Sequence, residues 1–100
     1  MEPVWIGWIE FDFLLGDVHS LKQKRAIVKP IVTELWRHHP VAAAEVGDQD
    51  LHRRARIGIS AVFADAARLT EVLDRAERAM AERPEVQLLS ARRRVLSSDD

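Results

Sequence analysis

The chain opens on a run in which apolar residues first crowd together and then alternate with charges. Residues 4–14 read VWIGWIEFDFL. Their β-branched and aromatic content predicts a strand. In its later half Ile9, Phe11 and Phe13 alternate with Glu10 and Asp12, so one face is apolar and the other charged. Leu15-Gly16-Asp17 breaks the run. Ser20 is an N-cap candidate, and a helix is expected from there to about Arg37. At about 100° per residue, Leu21, Val28, Ile31, Val32 and Leu35 share one arc. Pro30 falls on the opposite side, where a lost hydrogen bond bows a helix around a core. One bent helix is the expectation, and a break before Pro30 the alternative.

Residues 41–47 (VAAAEVG) and 54–64 (RARIGISAVFA) predict two more strands. In the second, Ala55, Ile57, Ile59, Ala61 and Phe63 alternate with Arg54, Arg56, Gly58, Ser60 and Val62. The segment between them, Asp48-Gln49-Asp50-Leu51-His52-Arg53, is polar and hairpin-like. Asp65 can cap a second helix to about Arg83, with Leu69, Val72, Leu73, Ala76 and Met80 on one face. Pro84 ends it, and residues 86–96 form a last strand. A single domain over residues 1–96 and a disordered C-terminal tail over 97–100 are expected.

The order is βαββαβ. It predicts an α+β ferredoxin-like plait, a four-stranded antiparallel sheet with two helices on one face. Right-handed crossovers put the first strand in the sheet centre beside the third and fourth. This topology brings the first loop and the strand 2–strand 3 hairpin to one end. His19 and Ser20 are therefore expected near Asp48, Gln49, Asp50 and His52. If Ile9, Phe11 and Phe13 face the helices, the outer sheet face carries two regions. Glu10, Asp12, Glu45, Arg54 and Arg56 are expected toward the loop end. Val4, Ile6, Trp8, Val41 and Val62 are expected at the other, as an oligomer interface, because no helix remains to cover them.

Composition narrows the function classes. The 100 residues are 47% hydrophobic and 31% charged, which suits one soluble globular domain. No apolar run approaches the roughly 18 residues of a membrane helix. No signal peptide is expected, and a cytoplasmic protein without a membrane partner is. With no Cys, disulfides, thiolate metal sites and cysteine nucleophiles are excluded. The net charge of −1 lacks the global footprint of a nucleic-acid binder, so such binding needs a local patch. The 12 Arg against 3 Lys favour bidentate recognition, but GC-rich codon usage explains that bias, and the 13 Ala, equally well.

One local patch is available. Lys22, Arg25 and Lys29 lie at i, i+3, i+7 on the first helix, with Lys24 close by and Trp36 two turns beyond. Together with Arg53 and Arg54 they are candidate phosphate contacts. The competing reading is a solvated helix face. His19, His52, Asp48 and Asp50 offer N and O ligands, yet without the spacing of a metal motif. Turn-closing hydrogen bonds explain them better, and neither a metal nor a cofactor is expected. His38-His39 suits the helix C-terminus. Arg92-Arg93-Arg94 alternates faces in a strand, with Arg92 and Arg94 positioned to pair with Glu10 and Asp12. Without a P-loop or a GxGxxG run, no enzyme is expected. An acylphosphatase-like anion loop would need an Arg and more glycines than Gly16-Asp17 supplies.

The run Asp17-Val18-His19-Ser20-Leu21-Lys22-Gln23-Lys24-Arg25, the run Ala44-Glu45-Val46-Gly47-Asp48-Gln49-Asp50-Leu51 and the following Arg54-Ala55 resemble the YlxP-like family. The likeness covers about Val4 to Leu96. It implies a ferredoxin-like fold and a cytoplasmic home. By gene neighbourhood it implies an association with translation-initiation and ribosome-maturation factors, and it implies no enzymatic activity. The family often carries an aromatic after the second run; His52 stands there instead, which leaves a stacking role at that position unsupported. The functional expectation is a non-enzymatic ribosome- or RNA-associated factor. The alternative is a homo-oligomeric module that binds a small anion or a protein.

Overall fold

Six elements follow one another in a computed structural model that describes residues 2–100: β1 (Trp5–Leu15), α1 (Leu21–His38), β2 (Ala42–Gly47), β3 (Arg54–Phe63), α2 (Ala66–Ala81) and β4 (Val86–Ser97). Met1, the first residue of the expected domain, lies outside the described residues. Every expected element is present, with ends moved by one or two residues. Ser20 starts α1: its side chain accepts a hydrogen bond from the Gln23 amide at 3.1 Å, and Gln23 Oε1 accepts one from the His19 amide at 2.7 Å. The first bond satisfies an amide that the first turn leaves without a helical partner, and the second ties down the residue before the cap. Pro30 lies inside α1 on its exposed side, so the helix runs on past it. Asp65 caps α2 by accepting from the Ala67 amide at 2.9 Å.

The strands form one antiparallel sheet in the order β2-β3-β1-β4. The chain is therefore a ferredoxin-like α+β plait. Ile9, Phe11, Phe13 and Leu15 of β1 are fully buried with Ile57 of β3, Ile31 and Leu35 of α1, and Leu69, Leu73 and Met80 of α2. Gly7 allows α2 to approach β1. A Cβ there would stand 2.8 Å from Leu73 Cδ1. No described helix is long and apolar enough to cross a membrane.

Two expectations need correction. The first concerns β2. Val41, Ala43 and Glu45 face the helices, whereas Ala42, Ala44 and Val46 are exposed. Ala43 pairs with Ile59 and Glu45 with Ile57, which fixes that parity. Val41 is thus absent from the outer face. The alanines carry no polarity signal, and the charge on Glu45 points inward to an ion pair. The second concerns the chain end. Ser97 is buried within β4, the Ser98 amide donates to the Val4 carbonyl at 2.9 Å, and the Val4 amide donates to Ser98 Oγ at 3.0 Å. Asp100 Oδ2 accepts from the Ser97 amide at 2.7 Å. Ser and Asp side chains close a turn here, and the start of β1 supplies the backbone partner, so residues 97–100 are tied down.

Candidate functional site

The two sequence runs meet at the loop end of the sheet, and Lys24 joins them. Lys24 is 2% exposed. Its ammonium donates to the Asp48 carbonyl, to the Leu51 carbonyl at 2.8 Å, and lies 3.3 Å from Glu45 Oε2. A buried ammonium needs hydrogen-bond acceptors and a countercharge: the two carbonyls accept from it, and the Glu45 carboxylate balances its charge as an ion pair. Asp48 sits in the left-handed region at φ 58, where Asp is better tolerated than most residues. That turn aims its carbonyl into the Lys24 site. Lys24 is therefore a structural clamp and is withdrawn from the set of phosphate contacts.

Above the clamp lies a hollow of about 320 Å³, lined by Leu21, Lys24, Arg25, Glu45, Gln49 and Asp50. Of the expected loop cluster, Gln49 and Asp50 line it, while Ser20 is occupied as a cap. His19 pairs with Asp17 on the exposed rim, and His52 is exposed. Arg53 is exposed and donates from Nε to the Gly16 carbonyl at 3.0 Å, which holds the two loops together. Among the described residues no group of three or more His, Asp or Glu is arranged to hold a metal ion.

The outer sheet face uses its charges on itself. Arg54 grips Asp12 with Nη2–Oδ2 at 2.6 Å and Nε–Oδ1 at 3.4 Å. The hydrogen bond to Asp12, and then its charge, hold the Arg54 guanidinium above its ordinary pKa. Arg56 binds Glu10 at 2.6 Å, and Arg92 reaches the other Glu10 oxygen at 3.3 Å. Arg54 therefore leaves the phosphate-contact set, because its fork already holds a carboxylate. Arg92 also lies over the Trp8 ring, 5.8 Å from its centroid. Arg94 stands opposite Trp8, and Asp12 is opposite Ser90 instead of Arg94 as expected, because β1 and β4 run antiparallel and Arg92 already faces Glu10. Arg93 turns inward and binds Asp74 and Glu77 of α2 at 2.8 Å each.

The outward side of α1 carries a line of free cations; Arg68, Arg75 and Arg78 of α2 and Arg94 of β4 are also exposed and unpaired among the described residues, but on α2 they alternate with Glu71, Asp74 and Glu77. Lys22, Arg25, Lys29 and Arg37 are exposed and form no ion pair among the described residues. The one acidic residue of α1, Glu34, is engaged by Arg83, which also holds Glu85 at 2.9 Å. At about 1.5 Å per residue, the four cations span about 22 Å of helix. Ala26, Pro30 and Thr33 keep the surface between them low. Trp36 closes the line toward the C-terminus, and its indole N–H donates to the Ala43 carbonyl at 2.7 Å. The C-cap residue His39 has its pKa lowered by burial and by the charges of His38 and Arg75, so it is not an added cation at neutral pH.

The chain is thus a small ferredoxin-like βαββαβ domain whose first helix and central hairpin are locked by a buried lysine. Residues 6–93 match the family described as "Protein of unknown function (DUF503)", and the chain belongs to that family. It is similar to a protein of Bacillus subtilis (strain 168) called "Uncharacterized protein YlxP", at 36% identity over 70 residues, which is 70% of this chain and 76% of that protein. The resemblance carried by the two sequence runs is a true family relation.

Proposed function

We propose that this protein is a non-enzymatic cytoplasmic factor that associates with the ribosome or another RNA through the outward side of α1. Lys22, Arg25 and Lys29 contact phosphates, and Arg37 and Arg53 extend the contact at its two ends. The observation that carries this reading is the unpaired cationic stripe. In the sheet Arg54, Arg56, Arg92 and Arg93 are spent on Asp12, Glu10, Asp74 and Glu77. On α1 four basic groups face solvent without an ion pair among the described residues, and the helix's own carboxylate, Glu34, is already taken. Such a stripe binds a phosphate backbone with little sequence preference and with strong salt dependence. Replacing Lys22, Arg25 and Lys29 by Glu is expected to leave the fold intact, because exposed charge changes cost within about 0.5 kcal/mol each. The same change is expected to abolish co-sedimentation with ribosomal particles at moderate salt. High salt is expected to release the unaltered protein. Unchanged co-sedimentation of the triple variant overturns this reading.

A second reading is a homo-oligomeric module, favoured by the apolar end of the outer sheet face. Val4 and Val62 are 43% and 61% exposed, and Ile6, Trp8 and Leu96 lie beside them in the register with no helix above. Burying apolar surface gains roughly 25 cal/mol per Å². A two-fold pairing of such faces is the simplest way to remove them from water. Under this reading Trp8→Glu dissociates a dimer in light scattering, while a monomer at high micromolar concentration in the unaltered protein removes the reading.

A further inference from the structure

The cationic side of α1 ends on an aromatic ring that its fold role does not explain. Trp36 is 56% exposed. Its only polar group, the indole N–H, is used by the Ala43 carbonyl at the β2 edge. That bond blunts an edge strand and pins the indole in one orientation. It does not account for more than half of a tryptophan left in water. On the helix, Trp36 follows Arg25 by eleven residues and Lys29 by seven, so all three share one side, and the ring lies about 10 Å beyond Lys29.

Next to the ring is a shallow hollow of about 390 Å³, lined by Trp36, Ala42, Ala44, Val46, Gly58 and Ser60 among others. None of these can ionise. The floor is low because Gly58 has no side chain and Val46 folds across it; a Cβ at Gly58 would stand 3.0 Å from Val46 Cγ1. A flat apolar surface, a rigid ring and a line of cations leading to them are complementary to a polyanion that carries flat aromatic groups. A duplex keeps those groups stacked inside itself, whereas a single strand can offer one to the ring.

We propose that Trp36 is a base-stacking platform, and that the ligand of the α1 side is single-stranded RNA. Its backbone follows Lys22, Arg25 and Lys29 and one base lies on the indole against the Ala42–Ala44 hollow. This inference rests on the RNA reading of the preceding section. The test is a titration with short single-stranded oligoadenylate and with a matched RNA duplex, at low salt, read by anisotropy and by tryptophan emission. The unaltered protein is expected to prefer the single strand and to lose emission on binding. Trp36→Leu is expected to weaken binding about tenfold or more and to abolish most of the quench. Trp36→Phe, which keeps a ring, is expected to retain most of the affinity, which separates stacking from damage to the fold. If Trp36→Leu binds as well as the unaltered protein while the Lys22, Arg25 and Lys29 charge reversal does not bind, stacking is overturned and the RNA reading stands. A preference for the duplex also overturns stacking. If the unaltered protein binds neither RNA nor ribosomal particles, both fall together.

Discussion

Phe11→Ala is expected to destabilise the domain by about 3–5 kcal/mol, the usual cost of truncating a fully buried phenylalanine. Phe11 sits in the central strand with none of its surface exposed, 6.0 Å from the Phe13 ring centroid. Its neighbours Ile57 and Ala91 in the register belong to β3 and β4, so the cavity would open under both helices at the middle of the sheet. A domain of this size has roughly 5–15 kcal/mol of stability in all. At about 4–8 °C per kcal/mol, the melting temperature should fall by roughly 12 °C or more. A shift of a degree or two would mean that the core is not organised around β1.

Lys24→Met should cost about 2–4 kcal/mol, although Lys22→Met, two residues away on the same helix, should cost no more than about 0.5 kcal/mol. The methionine fills much of the lysine's volume but leaves the Asp48 and Leu51 carbonyls without their donor and the Glu45 carboxylate without its cation. Each buried acceptor left unpaired costs about 1–3 kcal/mol, and the Glu45 carboxylate recovers some of its loss because its side chain is 25% exposed. The loss should appear as faster amide exchange in residues 48–53 before global melting. Equal stability of the Lys22 and Lys24 variants would refute the clamp.

Much of this was legible in the chain. Alternation of Ile9, Phe11 and Phe13 against Glu10 and Asp12 is enough to face β1 correctly, because a strand's period of two leaves one choice once charge and bulk separate. The spacing of Leu69, Val72, Leu73, Ala76 and Met80 identifies the buried side of α2 in the same way, and all five are buried. Lys24 was legible in part: on the helix it falls inside the arc of Val28, Ile31 and Leu35. Read by residue type alone it passes for one more surface cation. Its geometry within the helix already placed it on the core side.

Other features had no local signal. The run Val41-Ala42-Ala43-Ala44 has no polar residue to mark its faces, and the charge that follows it, half-buried Glu45, turns inward to Lys24, so the parity of β2 depends on its pairing with β3. Which arginines stay free is likewise a property of partners distant in sequence: Arg54 and Asp12 are 42 positions apart, and Arg92 and Glu10 are 82. Periodicity reports what a residue does to its own element, and so it sufficed for the plait, its core and the caps at Ser20 and Asp65. Ion pairs, edge contacts such as Trp36 with Ala43, and the resulting cationic side of α1 arise between elements. Their energies depend on register and distance, which exist only once the strands have paired and the helices have docked.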